Sequence, residues 1–193
     1  CSSLFNKAAK SVYLSPGENV NAANTVCSEG TVFVLLPGFY TSAFVESSGT
    51  GNSWAGIGRV VFEGQLTVNR AFSGGLSGNT VRGLEISNYT DFGIYASGLK
   101  DLVVRDVDFN VIAADKNGQS RGAVMFFDAE NVEITESQFS NVASSVRFVS
   151  SRGPLRVTEN SAINSGRNFF QCDKCSGRGI RINKNSMVRE MQV

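Results

Sequence analysis

The sequence has no histidine, only three prolines and a single tryptophan among its 193 residues. Without histidine, a metal site has no imidazole ligand, and the commonest general base near neutral pH is missing. No run of 18 apolar residues occurs, so no transmembrane segment is expected. The formal net charge is only +1, so no broad electrostatic field attracts nucleic acid, and none is expected as a partner.

Cysteine is also scarce, and the four examples are Cys1, Cys27, Cys172 and Cys175. An even number of cysteines in a chain rich in glycine, serine and asparagine is typical of an oxidising compartment. We expect a local Cys172–Cys175 disulfide and a second between Cys1 and Cys27, in a secreted or cell-surface protein. Two alternatives stay open: zinc bound by all four thiolates, and a lipid anchor on Cys1, because Cys-Ser-Ser there resembles a processed bacterial lipoprotein.

What the sequence does contain is a five-fold repeat of one pattern: an apolar residue, two others, an apolar or small residue, one other, and an apolar residue. The copies are 23, 30, 23 and 25 residues apart, a period that indicates a solenoid. The first positions are Val81, Val104, Ile134, Val157 and Ile182, and the last positions are Ile86, Phe109, Phe139, Ala162 and Met187. We expect both columns to point inward in an all-β fold, the right-handed parallel β-helix.

The skipped positions predict a bend in every copy, where simple strand alternation fails. Directly after the bend, successive copies carry Ser137, Asn160 and Asn185, which we expect to form hydrogen bonds from coil to coil. A second strand-like stretch follows most copies, as in GIYAS and AVMFF. Leucine-rich repeats fit less well because the chain has only ten leucines, and a left-handed hexapeptide helix requires a stricter six-residue period.

The N-terminal part is expected to cap the solenoid. Residues 18–30 are predicted to form a short helix that places Val20, Ala23 and Cys27 on one face and ends at Gly30. A strand follows and ends in Pro-Gly-Phe-Tyr40. This order resembles the opening cap and first coil of pectate-lyase-like β-helix proteins. We therefore expect one domain, with a cap at 1–30 and coils over 31–193.

The resemblance implies a role with acidic polysaccharides, but the catalytic motifs of that group do not occur. The Asp-Asp pair and Gly-His-Gly of polygalacturonases, the Asp-Pro-His-Glu of epimerases and the arginine that precedes Cys-x-x-Cys in small pectate lyases are all missing. No catalytic residue is therefore assigned. Our main hypothesis is a non-catalytic extracellular module for assembly, adhesion or glycan binding. The alternative is a polysaccharide lyase acting by calcium-assisted β-elimination, or a fragment of one.

Charged residues at the predicted bend are the first candidates for a site. Asp106, Glu136 and Glu159 share one bend position, so their Cα atoms should lie roughly 4.8 Å apart. Such carboxylates either point into water, are offset by Arg82 and Arg105, or hold a calcium ion. Arg82 and Arg105 stack likewise. They either pair with Glu85 and Asp108 across the bend or bind the carboxylates of an acidic polysaccharide.

Aromatic residues supply further candidates for glycan binding. Trp54, Tyr89 and Tyr95 are candidate rings for stacking on sugars, and Trp54 is expected in a glycine-rich loop over residues 49–56. Asn88-Tyr-Thr90 is a glycosylation sequon.

The C-terminal coil has no predicted cap, although solenoids cover their open edges. Its last turn carries Met187, Val188, Met191 and Val193. We expect either more chain beyond this point or another subunit, such as a copy of the same protein, packed against this edge.

Overall fold

The protein forms a parallel β-solenoid of about seven turns, which confirms the predicted fold class. The computed structural model describes residues 11–27, 29–112, 121–166 and 168–188. Three sheets run along its length. The first contains, in spatial order, β1 (Ser11–Leu14), β2 (Val32–Leu35), β5 (Ser53–Gly56), the first part of β8 (Thr80–Ser87), the first part of β10 (Lys100–Asn110), β12 (Glu130–Thr135), β15 (Arg152–Thr158) and β18 (Ile180–Asn183).

The second sheet joins the first at a corner through which β8 and β10 run without interruption. Its other strands are β3 (Gly38–Thr41), β6 (Val60–Glu63), β13 (Gln138–Ser140), β16 (Ser161–Ile163) and β19 (Ser186–Val188). The third sheet contains β4 (Val45–Glu46), β7 (Arg70–Ser73), β9 (Phe92–Ser97), β11 (Gly122–Phe127), β14 (Val146–Val149) and β17 (Phe170–Asp173).

Both predicted columns exist in the predicted register. The first positions of the five copies pair from strand to strand, and so do the last positions. Four residues of each column are buried in the common core. Ile182 and Met187 were also expected to point into the core, but their side chains are 45% and 39% exposed. The reason is that no strand within the described residues pairs with β18 or β19 on their far side.

The bend between the first and second sheets is confirmed by its backbone. Its second residue has a positive φ in five successive coils, from 53° to 65°, at Gly83, Asp106, Glu136, Glu159 and Lys184. For a residue other than glycine, this left-handed conformation costs about 1–2 kcal/mol. Contacts from neighbouring coils must therefore stabilise the corner.

A ladder of side chains provides those contacts. The Asn160 side chain accepts a hydrogen bond from the Ser137 N–H at 2.9 Å and donates one to the Ile134 carbonyl at 3.0 Å. It thereby bridges the two ends of the bend at Glu136. Asn185 repeats the arrangement one coil later, accepting from the Asn160 N–H at 3.0 Å and donating to Val157 at 2.8 Å. The predicted hydrogen bonds between coils are confirmed.

The predicted helix is present but shorter than expected. Helix α1 (Val20–Val26) begins after an Asn19 cap, and its C-terminal cap is Cys27 rather than Gly30. Two asparagines of the helix bond the backbone of Glu46 on β4, the edge strand of the third sheet. The helix thus satisfies part of an edge that would otherwise present unpaired backbone groups.

Candidate functional site

Two of the three candidate sugar-stacking rings lie inside the solenoid. Trp54 is on β5 and not in a loop, and its fully buried ring stacks on Phe33 with centroids 3.9 Å apart. Tyr89 is also fully buried and donates its hydroxyl to the Ala43 carbonyl, and burial raises the pKa of that hydroxyl. Neither ring has an exposed face for a sugar. Tyr95, on the outward side of the third sheet, is half-buried and keeps part of its surface exposed.

The three carboxylates predicted for calcium share the corner, and two of them bind cations of the protein instead. Glu136 forms an ion pair with Arg105 at 2.9 Å, and Glu159 forms one with Lys184 at 2.9 Å. Within the described ranges, no group of three or more histidine, cysteine, aspartate or glutamate side chains is placed to hold a metal ion. The structure therefore does not bring Asp106, Glu136 and Glu159 together as ligands.

The ion pairs expected across the bend are also different from those predicted. Glu85 pairs with Arg59 at 3.1 Å, and Arg105 pairs through two hydrogen bonds with Glu136 of the next coil. Arg82 and Asp108 were expected to take part in such pairs. The reason for the difference is that partners come from adjacent coils, about one strand spacing away, rather than from the opposite side of the same bend.

One surface therefore gathers most of the predicted charged residues together with Arg59, which the sequence did not single out. We call it the charged corner, and it comprises Arg59, Arg82, Glu85, Arg105, Asp106, Asp108 and Glu136. Within the part of the chain that the structure describes, Arg82, Asp106 and Asp108 make no ion pair or side-chain hydrogen bond. These three charged groups are available to a ligand.

Asp108 is a carboxyl of the charged corner whose pKa is raised by its surroundings. It lies on the second sheet as the register partner of Glu85, so the two backbones are about 4.8 Å apart. Partial burial, and after it the negative charges of Asp106 and Glu85, raise the pKa of the Asp108 carboxyl above its ordinary value. Burial and repulsion therefore disfavour the ionised form of Asp108 in the folded protein, and carboxyls with a perturbed pKa are common at binding and catalytic sites.

The raised pKa predicts how Asp108→Asn changes stability. A carboxyl whose pKa is raised by folding binds its proton more tightly in the folded state, so the wild-type protein loses stability as pH rises through the titration of Asp108. Asparagine has no such loss. We expect Asp108→Asn to increase the free energy of unfolding at pH 7 by up to about 1 kcal/mol, since solvent screens an exposed carboxylate. Urea denaturation at a series of pH values measures this difference.

The control for this prediction is the disappearance of the gain where wild-type Asp108 is protonated, near pH 3. High salt should also reduce the gain at pH 7, because it screens the repulsion. A variant that is less stable than wild type at pH 7, yet equal to it at pH 3, would show that the ionised Asp108 is favourable.

The remaining predicted features lie outside this surface. Cys172 and Cys175 form the expected disulfide, whereas the Cys1–Cys27 pairing lies outside the described residues because Cys1 does. The Asn88 side chain of the sequon donates to both carboxylate oxygens of Glu63, at 2.8 and 3.0 Å. None of the described helices is long and apolar enough to cross a membrane.

Comparison with known proteins identifies the fold. No family model and no curated protein sequence matches the chain. Among solved structures, a crystal structure of a putative glycosyl hydrolase from Parabacteroides merdae matches with a TM-score of 0.54 and 13% sequence identity. The match covers 94% of this chain and 98% of that one. At this identity the likeness shows a shared fold and transfers no activity.

Proposed function

We propose that the protein is an extracellular carbohydrate-binding β-solenoid whose charged corner binds a neutral glycan. The observation that carries this proposal is that Arg82, Asp106 and Asp108 have no charged partner among the described residues, on a surface where neighbouring charges pair. Carboxylates accept hydrogen bonds from sugar hydroxyls, and a guanidinium donates them. A ligand that donates to Asp108 and Glu85 would also relieve their repulsion.

The geometry of a parallel sheet supports a polymeric ligand. Side chains recur from coil to coil at about 4.8 Å, a distance comparable to the length of one sugar unit. The charged corner holds three arginines and four carboxylates, and Arg105 is already bound by Glu136. This balance favours neutral sugars over the acidic polysaccharides that were expected from sequence. The distant likeness to a putative glycosyl hydrolase is consistent with a carbohydrate-related role.

Calorimetry with neutral and acidic oligosaccharides tests the proposal. We expect a neutral hexasaccharide to bind, and Asp108→Asn to weaken binding by about 10- to 100-fold, because hydrogen bonds to charged groups contribute about 1.5–3 kcal/mol. Asp101→Asn is the matched control, since Asp101 is also an exposed aspartate of β10 but lies outside the charged corner and accepts a hydrogen bond from Asn131. Equal affinities in the two variants would contradict the proposal.

A second candidate function is cleavage of the bound glycan, which the proximity of two carboxyl groups favours. Acid–base cleavage of a glycosidic bond uses a pair of carboxyl groups, and Asp108 and Glu85 are register partners on neighbouring strands. The same oligosaccharides report this activity. Hydrolysis releases reducing ends, and β-elimination by a lyase, the expected alternative, gives an unsaturated product that absorbs ultraviolet light.

We also propose that the protein acts outside the cell, at the surface or secreted. The Cys172–Cys175 disulfide supports this location, because such bonds persist in oxidising compartments. Assembly through the C-terminal coil stays a prediction. Ile180, Ile182 and Met187 on β18 and β19 are exposed apolar residues in keeping with a packed partner, and residues 189–193 lie outside the described part of the chain.

A further inference from the structure

Arg70 on β7 is held by aromatic rings and not by acidic residues. Its guanidinium carbon lies 4.1 Å from the centroid of the Tyr95 ring and 5.6 Å from that of Phe92. The two rings contact each other with centroids 4.9 Å apart, and Phe92 lies outside the core cluster. The Arg70 Nε atom is buried and has no hydrogen-bond partner.

Two arginines on or directly beside this sheet, Arg147 on β14 and Arg121 just before β11, have acidic partners. Arg121 binds Asp91 at 3.0 Å, and Arg147 binds Asp173 at 2.8 Å. Within the described residues, Arg70 forms no ion pair. Glu46 is the register partner of Ser73, at the other end of β7, and it forms no ion pair with Arg70. Among the described residues, no carboxylate therefore pairs with the charge of Arg70 on the outward side of the third sheet.

The contacts with Tyr95 and Phe92 hold the guanidinium in one orientation before a ligand binds. A planar guanidinium lying on an aromatic ring loses little further freedom when it binds an oxyanion through two parallel hydrogen bonds. Its buried Nε cannot be reached by solvent, so only the terminal Nη groups remain for a partner. Tyr95 adds a hydroxyl group to the same side of the sheet, next to its register partner Ser73.

We propose that Arg70, supported by Tyr95 and Phe92, forms an oxyanion-binding site on the third sheet, for a carboxylate or sulfate group of an extended ligand. This site lies on a different sheet from the charged corner. Anion binding at Arg70 is therefore independent of neutral-glycan binding at the charged corner, and either can fail without the other. A carboxylate is planar and a sulfate is tetrahedral, but both are oxyanions that accept two hydrogen bonds from one guanidinium.

NMR titration of the whole protein tests this site directly. The buried Nε–H of Arg70 gives a cross-peak that Arg70→Lys removes, and this loss assigns it. The probes are an oligogalacturonate hexamer, a heparin-derived hexasaccharide and sodium sulfate, with a neutral hexasaccharide as the uncharged comparison. We expect the Arg70 Nε–H to shift with at least one anionic probe. The probe that acts distinguishes carboxylate, sulfate ester and free anion.

Two variants separate binding from a purely structural role. Arg70→Lys keeps the positive charge but removes the planar fork, and we expect it to weaken binding of the active probe by about 10-fold or more. Arg147→Lys is the matched control on the same sheet, and we expect unchanged affinity because Asp173 already occupies Arg147. The proposal is overturned if no anionic probe shifts the Nε–H, or if Arg70→Lys retains wild-type affinity with a folded spectrum.

Discussion

Asn160→Ala is expected to lower the free energy of unfolding by about 3 kcal/mol. The variant leaves the Ser137 N–H and the Ile134 carbonyl without their partner inside a buried corner, and each such loss costs about 1–3 kcal/mol. The bend at Glu136, which has a φ of 53°, also loses the side chain that connects its two ends. Urea denaturation followed by circular dichroism measures the change.

Asn183→Ala is the matched control for this prediction. Asn183 is exposed at the corresponding corner of the next coil, and a surface substitution of this kind changes stability by no more than about 0.5 kcal/mol. If Asn160→Ala were as mild as Asn183→Ala, the ladder would not stabilise the corner.

Phe139→Ala should have an even larger effect, a loss of about 3–5 kcal/mol. The Phe139 ring is fully buried and lies parallel to that of Phe109, with centroids 5.0 Å apart and an interplanar angle of 3°. It also meets the edge of Phe169 at 6.1 Å. Removing the ring leaves a cavity between coils that rigid β-strands on either side cannot close. The same urea denaturation assay measures the loss.

Phe139→Leu is the informative comparison, because it keeps most of the apolar volume. We expect a loss clearly smaller than that of the alanine variant. Equal losses in the two variants would mean that backbone distortion, and not the cavity, dominates the response.

The bend between the first and second sheets was predictable because the sequence combines apolar spacing with small polar residues at one position. Ser137, Asn160 and Asn185 follow the bend in register, so the sequence shows both the corner and its hydrogen bonds. The other two corners of each coil also use positive φ values, but at residues as different as Leu66, Val111 and Ser150. Their conformation is determined by stacking on neighbouring coils, which no local pattern shows.

The charged corner was predictable only in part, because its ion pairs also depend on contacts between coils. The bend predicted that Arg82 and Arg105 lie near the carboxylates of the next position, but which carboxylate an arginine binds depends on side-chain direction between coils. The Arg59–Glu85 pair joins residues 26 positions apart, in coils where the repeat is least regular. Trp54 was misplaced because glycines flank it, although it occupies the same column as Phe33 and Val81.

The central claim is that a neutral glycan binds at the charged corner, and NMR chemical-shift mapping tests it most directly. Titration of labelled protein with the neutral hexasaccharide should move the backbone amides of residues 84–86 and 105–108 most, where Glu85, Asp106 and Asp108 lie. The third sheet, over 92–97 and 122–127, should change little. Largest shifts on the third sheet, or no shifts at either surface, would contradict glycan binding at the charged corner.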